Sequence, residues 1–135
     1  MSDASATCVV EQMLVHAANA RWERLPEVLT DDFVIVEPAS LPYGGEHHGI
    51  DGYVALMQRI EALFALQFEP QALHALDAST VLLRMQVTFT ARATDRERRL
   101  PVLELLSTRG GRVARSEVFI FDTAALVALL CSRGP

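Results

Sequence analysis

The sequence predicts an α+β fold, and three observations carry that expectation. Helical periodicity recurs three times in the first half. Strand-like runs follow one another at hairpin spacing in the second half. One further strand-like run interrupts the helices. This order of helices, strand, helix and antiparallel meander places the helices on one face of a single sheet. A chain of 135 residues is expected to form one domain over residues 1–135. Roughly two-thirds of the unfolded surface can be buried at this size, so neither disulfide nor metal is needed for stability.

The first helix is expected over Ala6 to Ala20, where Val9 or Val10, Met13 and Ala17 recur at helical spacing. A second, short helix runs from Trp22 to Leu29, with Trp22, Leu25 and Leu29 on one stripe. Pro26 falls within about its first turn, where a missing N–H is tolerated. Trp22 is read as packing between helices, and Asp31-Asp32 break the period. Phe33 to Glu37 is β-branched and compact, hence a strand, and Pro38 ends its pairing. Residues 38–49 hold two prolines and three glycines and read as a structured loop. Tyr53, Leu56, Met57, Ile60, Leu63 and Phe64 then fit a helix from about Ile50 to Leu66.

Phe68 to Leu76 is a strand by composition. Thr80 to Arg92 alternates, with Val81, Leu83, Met85, Val87, Phe89 and Ala91 on one dry face. Leu100 to Thr108 and Val113 to Asp122 are two more strands, joined through Gly110-Gly111, a tight hairpin signal. Thr123 to Cys131 can form a short terminal helix.

Half of the residues are hydrophobic and 21% are charged, a globular composition rather than a disordered one. The net charge of −5 argues against a nucleic-acid partner, which wants a basic face. Arg92, Arg96, Arg98 and Arg99 come nearest to one, but Asp95 and Glu97 interrupt them, and the stretch reads as a solvated hairpin tip. Cys8 and Cys131 stand in no metal or redox spacing and read as two buried thiols in a reducing compartment, with a cross-link between them as the alternative. Met1 to Ser5 lacks the basic start and apolar run of a signal peptide, and no apolar run reaches membrane-spanning length. A cytoplasmic protein with no membrane partner is the expectation.

Gly44, Gly45 and Gly49 lack the strand-before, helix-after context of a dinucleotide fingerprint. His47 and His48 are neighbours whose side chains diverge in extended backbone, so they read as loop surface rather than a shared metal site. No serine nucleophile elbow, phosphate loop or cysteine–histidine zinc spacing is present. Two carboxylates are of more interest. Glu37 ends Val34-Ile35-Val36-Glu37-Pro38, and Glu104 stands alone in Pro101-Val102-Leu103-Glu104-Leu105-Leu106. Glu117 and Asp122 lie around the last strand, beside Val118-Phe119-Ile120-Phe121. A carboxylate flanked by apolar strand residues either meets water or is held in an apolar cavity, where its pKa rises.

Asp31 to Pro38 resembles the helix-to-strand junction of ketosteroid isomerases and the wider NTF2-like, SnoaL-like group. The helix start Gly49-x-x-x-Tyr53 and the hairpin from Leu103 to Val113 are similar too. Leu41-Pro42-Tyr43-Gly44-Gly45 and Phe121-Asp122-Thr123 look like SnoaL-like proteins in particular. The resemblance spans nearly the whole chain. It implies an NTF2-like cone, a curved antiparallel sheet wrapped around three helices from the N-terminal half, with a central pocket. It further implies that Glu37 falls where the isomerases carry a base and Glu104 where they carry a protonated acid. The tyrosine those enzymes use on the first helix has no counterpart, its place falling near Met13.

Two functional readings stand side by side. One is a cofactor-independent isomerase, cyclase or hydrolase acting on a small apolar substrate. There Glu37 is the base, and Glu104, with Tyr43 or His16, the hydrogen-bond donor. Met13, Trp22 and Phe119 join Tyr43 and His16 as candidate substrate-binding residues. The other is a non-catalytic ligand-binding or dimer-forming module. No cofactor or metal is expected under either, and a homodimer pairing through the meander is expected under both. The loop from Pro38 to Gly49 is expected to rim the pocket, with Tyr43 turned inward or across the entrance.

Overall fold

The computed structural model describes residues 3–131. Met1 and Ser2, on which part of the leader reading rests, lie outside the described residues. The first helix, α1 (Asp3–Ala18), buries Ala6, Val9, Val10 and Met13 along one stripe. A 3₁₀ helix over Trp22–Glu27 follows and is shorter than expected. Leu29 already belongs to a strand, β1 (Leu29–Glu37), and the two aspartates lie inside it rather than before it. They are tolerated because the pairing of β1 is irregular between Leu29 and Val34, which lets both face water while Phe33, Ile35 and Glu37 turn inward. The Asp32 carboxylate pairs there with Arg109.

The Pro/Gly-rich stretch hides a short strand, β2 (Gly45–His48), which pairs antiparallel with β1 from Val34↔His48 to Glu37↔Gly45. Helix α2 (Gly49–Leu63) buries Tyr53, Leu56 and Ile60, and stops short of Leu66. Phe64 is already extended and opens β3 (Phe64–Asp77), longer at both ends than the composition suggested. The strands β4 (Thr80–Ala91), β5 (Glu97–Arg109) and β6 (Arg112–Ile120) complete the meander, and α3 (Thr123–Leu129) follows. Gly110 and Gly111, at φ 59° and 81°, make the β5–β6 turn, a conformation that favours glycine at both places. Asp122 lies outside β6. It caps α3 instead, its side chain accepting the Ala125 N–H at 3.0 Å.

The six strands form one curved, unclosed sheet in the order β2-β1-β6-β5-β4-β3. Among the described residues β1 lies parallel to β6, and the other neighbours are antiparallel. Val81, Leu83, Met85, Val87, Phe89 and Ala91 all face inward, as the alternation in β4 predicts. They share one core with α1 and α2, knit by edge-on contacts of Phe33 with Tyr53 and of Phe64 with Phe89, both at 5.5 Å.

Two expectations about the surface need correction. The arginines near the β4–β5 turn are not merely solvated. Arg96 donates to the carbonyls of Ala128 and Cys131 at the end of α3, Arg92 donates to the Glu61 carbonyl near the end of α2 at 2.6 Å, and Arg99 makes a two-pronged pair with Glu69. Cys8 and Cys131 are free thiols but exposed, not buried. Cys8 lies one turn from the exposed Gln12, whose amide donates to its sulfur at 3.6 Å. No helix among the described residues is long and apolar enough to cross a membrane.

Candidate functional site

Between the helices and the inner face of the sheet lies a cavity of about 500 Å³. Its wall is mostly apolar, with Ile35, Leu83, Met85, Val87, Phe89 and Val102 from the strands and Leu14, Ala17 and Trp22 from the helical side. Strand parity decides which polar groups enter. Glu37 lies two residues beyond inward-facing Ile35, and Glu104 two beyond inward-facing Val102, so both carboxyls project into this space. Only β6 separates their strands in the sheet. Their backbones are therefore about 10 Å apart, two strand spacings, within reach of two glutamate side chains pointing toward each other.

Both carboxyls are pushed upward in pKa. Burial is the main cause for Glu37 and the nearby Glu104 charge the second, together raising it to about 8 from the ordinary 4.5. Burial also raises Glu104, opposed by a hydrogen bond that Ser116 Oγ donates to Glu104 Oε1 at 2.8 Å. Counted over the whole residue, Glu104 is half-buried and Glu37 buried, and both line the cavity. Two phenols face the pair. Tyr43 and Tyr53 line the cavity, and both are held well above the usual tyrosine range, by burial first and then by the neighbouring carboxylates. Each is thus a neutral O–H at physiological pH.

Tyr43 is placed by its loop. The Gly44 N–H donates to the Leu41 carbonyl at 2.9 Å, His47 Nε2 donates to the Tyr43 carbonyl at 2.7 Å, and Arg59 of α2 donates to the Pro42 carbonyl at 2.8 Å. Gly44 permits the tight return, since a Cβ there would stand 2.3 Å from the Pro38 carbonyl oxygen. His47 is therefore a loop brace, and His48 lies on the surface beside Glu46. Among the described residues no group of three metal-ligating side chains converges.

The sequence candidates divide. Glu37, Glu104, Tyr43 and Trp22 meet at the cavity. Met13 lies close to it but is sealed in the core and does not line it. His16 also misses the wall. It sits half-buried on α1 with its Nδ1 buried and unpartnered, whereas Leu14, Ala17 and Ala18 supply that side. Phe119 is a correction, being 52% exposed on the outer face of β6 while its neighbours Val118 and Ile120 point in. Sequence reasoning missed Tyr53 and Ser116 as site residues. Each had a signal: a phenol on the inward stripe of α2 with Leu56 and Ile60, and a hydroxyl at the inward parity of Val118 and Ile120. Arg92, near the end of β4, was missed as a lining residue as well.

The SnoaL-like domain family matches residues 10–116, and the chain belongs to it. No curated protein matches the sequence. Solved structures resemble it over nearly its whole length. An NTF2-like protein from Burkholderia xenovorans LB400 is 21% identical with a TM-score of 0.89, covering 97% of this chain and 99% of its own. A proposed SnoaL-like polyketide cyclase from Jannaschia sp. CCS1 is 15% identical, with a TM-score of 0.81 and coverage of 98% and 94%. An epoxide hydrolase of the LEH-like type from Mycobacterium tuberculosis is 16% identical, with a TM-score of 0.71 and coverage of 94% and 90%. At these identities the likeness establishes the NTF2-like cone and leaves the chemistry to the site itself.

Proposed function

We propose that this SnoaL-like protein works in the cytoplasm as a cofactor-free acid–base catalyst, an isomerase, cyclase or hydrolase for a small apolar substrate. The observation that carries the reading is the pairing of Glu37 and Glu104 on one apolar cavity of about 500 Å³. Burial there keeps a proton on the pair at neutral pH, so one carboxyl can take a proton while the other gives one. The Tyr43 and Tyr53 hydroxyls are neutral donors suited to an oxygen that gains negative charge during the reaction. They stand in for the tyrosine that the first helix lacks. The similar structures include a proposed SnoaL-like polyketide cyclase and an LEH-like epoxide hydrolase.

A binding module is the second reading, favoured by the apolar residue at Met13 where the isomerases carry their tyrosine. Turnover separates the two. The parent, Glu37→Gln and Glu104→Gln are assayed with cyclic β,γ-unsaturated ketones, β-keto thioesters and alicyclic epoxides. The enzyme reading expects parental turnover that falls about a hundredfold or more in either variant, with ligand capture retained. Binding without turnover in the parent leaves the module, and no binding at all contradicts both.

A further inference from the structure

Among the described residues the Ser116 hydroxyl makes one hydrogen bond, to Glu104. Ser116 is fully buried, and its backbone is pinned on both sides, against Ile35 of β1 and Leu106 of β5. Glu104 faces Val118 across the β5–β6 ladder, so Ser116 is its diagonal neighbour on the same inward face. From that fixed position the Ser116 hydroxyl donates to Glu104 Oε1 at 2.8 Å. Among the described residues the Glu37 carboxyl has no such donor, and burial and the Glu104 charge are what act on it.

We propose that Ser116 is a positioning residue that makes Glu104 the charged member of the carboxyl pair and leaves Glu37 as the proton carrier. This deepens the acid–base reading above and rests on it for its functional meaning. It also reverses the assignment that chain position implies, with Glu104 as the group able to take a proton and Glu37 as the group able to give one. The physical reason is that a hydroxyl bonds an ionised carboxylate more strongly than a neutral one. Among the described residues no other side chain hydrogen-bonds either carboxyl. Tyr53 from α2 faces both carboxyls and Tyr43 from the loop faces Glu37, both neutral, while β4 opposes Glu104 with Leu83. Arg92, just beyond β4, lines the same cavity, but its guanidinium donates to the Glu61 carbonyl, and burial, the Glu104 charge and the Ser116 hydroxyl are what shift the two carboxyls.

The test is a titration of the side-chain carboxyls by carbon-detected NMR in the ligand-free protein, with Glu37→Gln and Glu104→Gln assigning the two signals. In the parent, Glu104 ionises before Glu37. Ser116→Ala raises the Glu104 midpoint by about one to two pH units. Ser116→Thr, which keeps the hydroxyl, restores it. Should Ser116→Ala fail to fold, Ser116→Cys, a weaker donor of nearly the same size, carries the test with an intermediate shift. A Glu104 midpoint that stays in place when the hydroxyl is removed overturns the proposal, as does a parent in which Glu37 ionises first. Because no substrate is present, this failure is separate from a failure of turnover, which would leave the proton order standing.

Discussion

Glu37 couples the site to the stability of the fold. Its carboxyl is buried and its pKa stands at about 8, above the ordinary 4.5. Below the lower value both folded and unfolded chains hold the proton, and the group costs nothing. Between the two values the unfolded chain releases its proton while the folded chain keeps it, so stability falls as pH rises and levels off above about 8. Glu37→Gln removes the loss. Thermal melts should coincide for parent and variant near pH 4 and separate toward alkaline pH, with the variant more stable there by up to a few kcal/mol. Melts that run parallel across the range would contradict the burial of an ionisable group at this position.

The loop leading into β2 sets where Tyr43 stands on the cavity wall. Gly44 sits against backbone that cannot swing aside, with the Pro38 oxygen 2.3 Å and the Ala39 Cα 2.8 Å from where a Cβ would stand. Gly44→Ala should therefore shift the return of the loop, cost about 1–3 kcal/mol in denaturant unfolding and displace the Tyr43 ring from the cavity. An unfolding midpoint like the parent's would show that the loop is loose. This segment also marks where the sequence stopped being legible. Periodicity revealed α2 and β4 because a long element repeats its inward residue many times. Four residues of β2 offer too few repeats, and their strand character comes from β1 lying alongside rather than from Gly45, Glu46, His47 and His48 themselves. The same limit explains the site. Glu37 and Glu104 stood out as charges among apolar neighbours, whereas Phe119 was misplaced because a single step along β6 exchanges inside for outside. Ser116 and Tyr53 become meaningful only once the sheet brings them to the carboxyls.

Across the whole molecule, the inner face of the sheet belongs to the cavity and the outer face is left with apolar residues of its own. Phe119 opposes Leu103, and Leu105 opposes Leu82, on the face turned away from the core. Arg84, Arg115 and Glu117 surround them. We propose that this face pairs two copies into a homodimer, an apolar centre with a charged rim. Light scattering at micromolar concentration should give twice the chain mass, and Phe119→Asp should return it to a single chain. A parent of single-chain mass would contradict the dimer without touching the cavity. The cavity itself rests on one claim, that the two glutamates share it and hold a proton there at neutral pH. Carboxyl titration of the parent protein by NMR reads that claim directly. One signal, lost in Glu37→Gln, should titrate near pH 8. Two glutamates titrating near the ordinary 4.5 would mean that both meet water, and the acid–base account would fall.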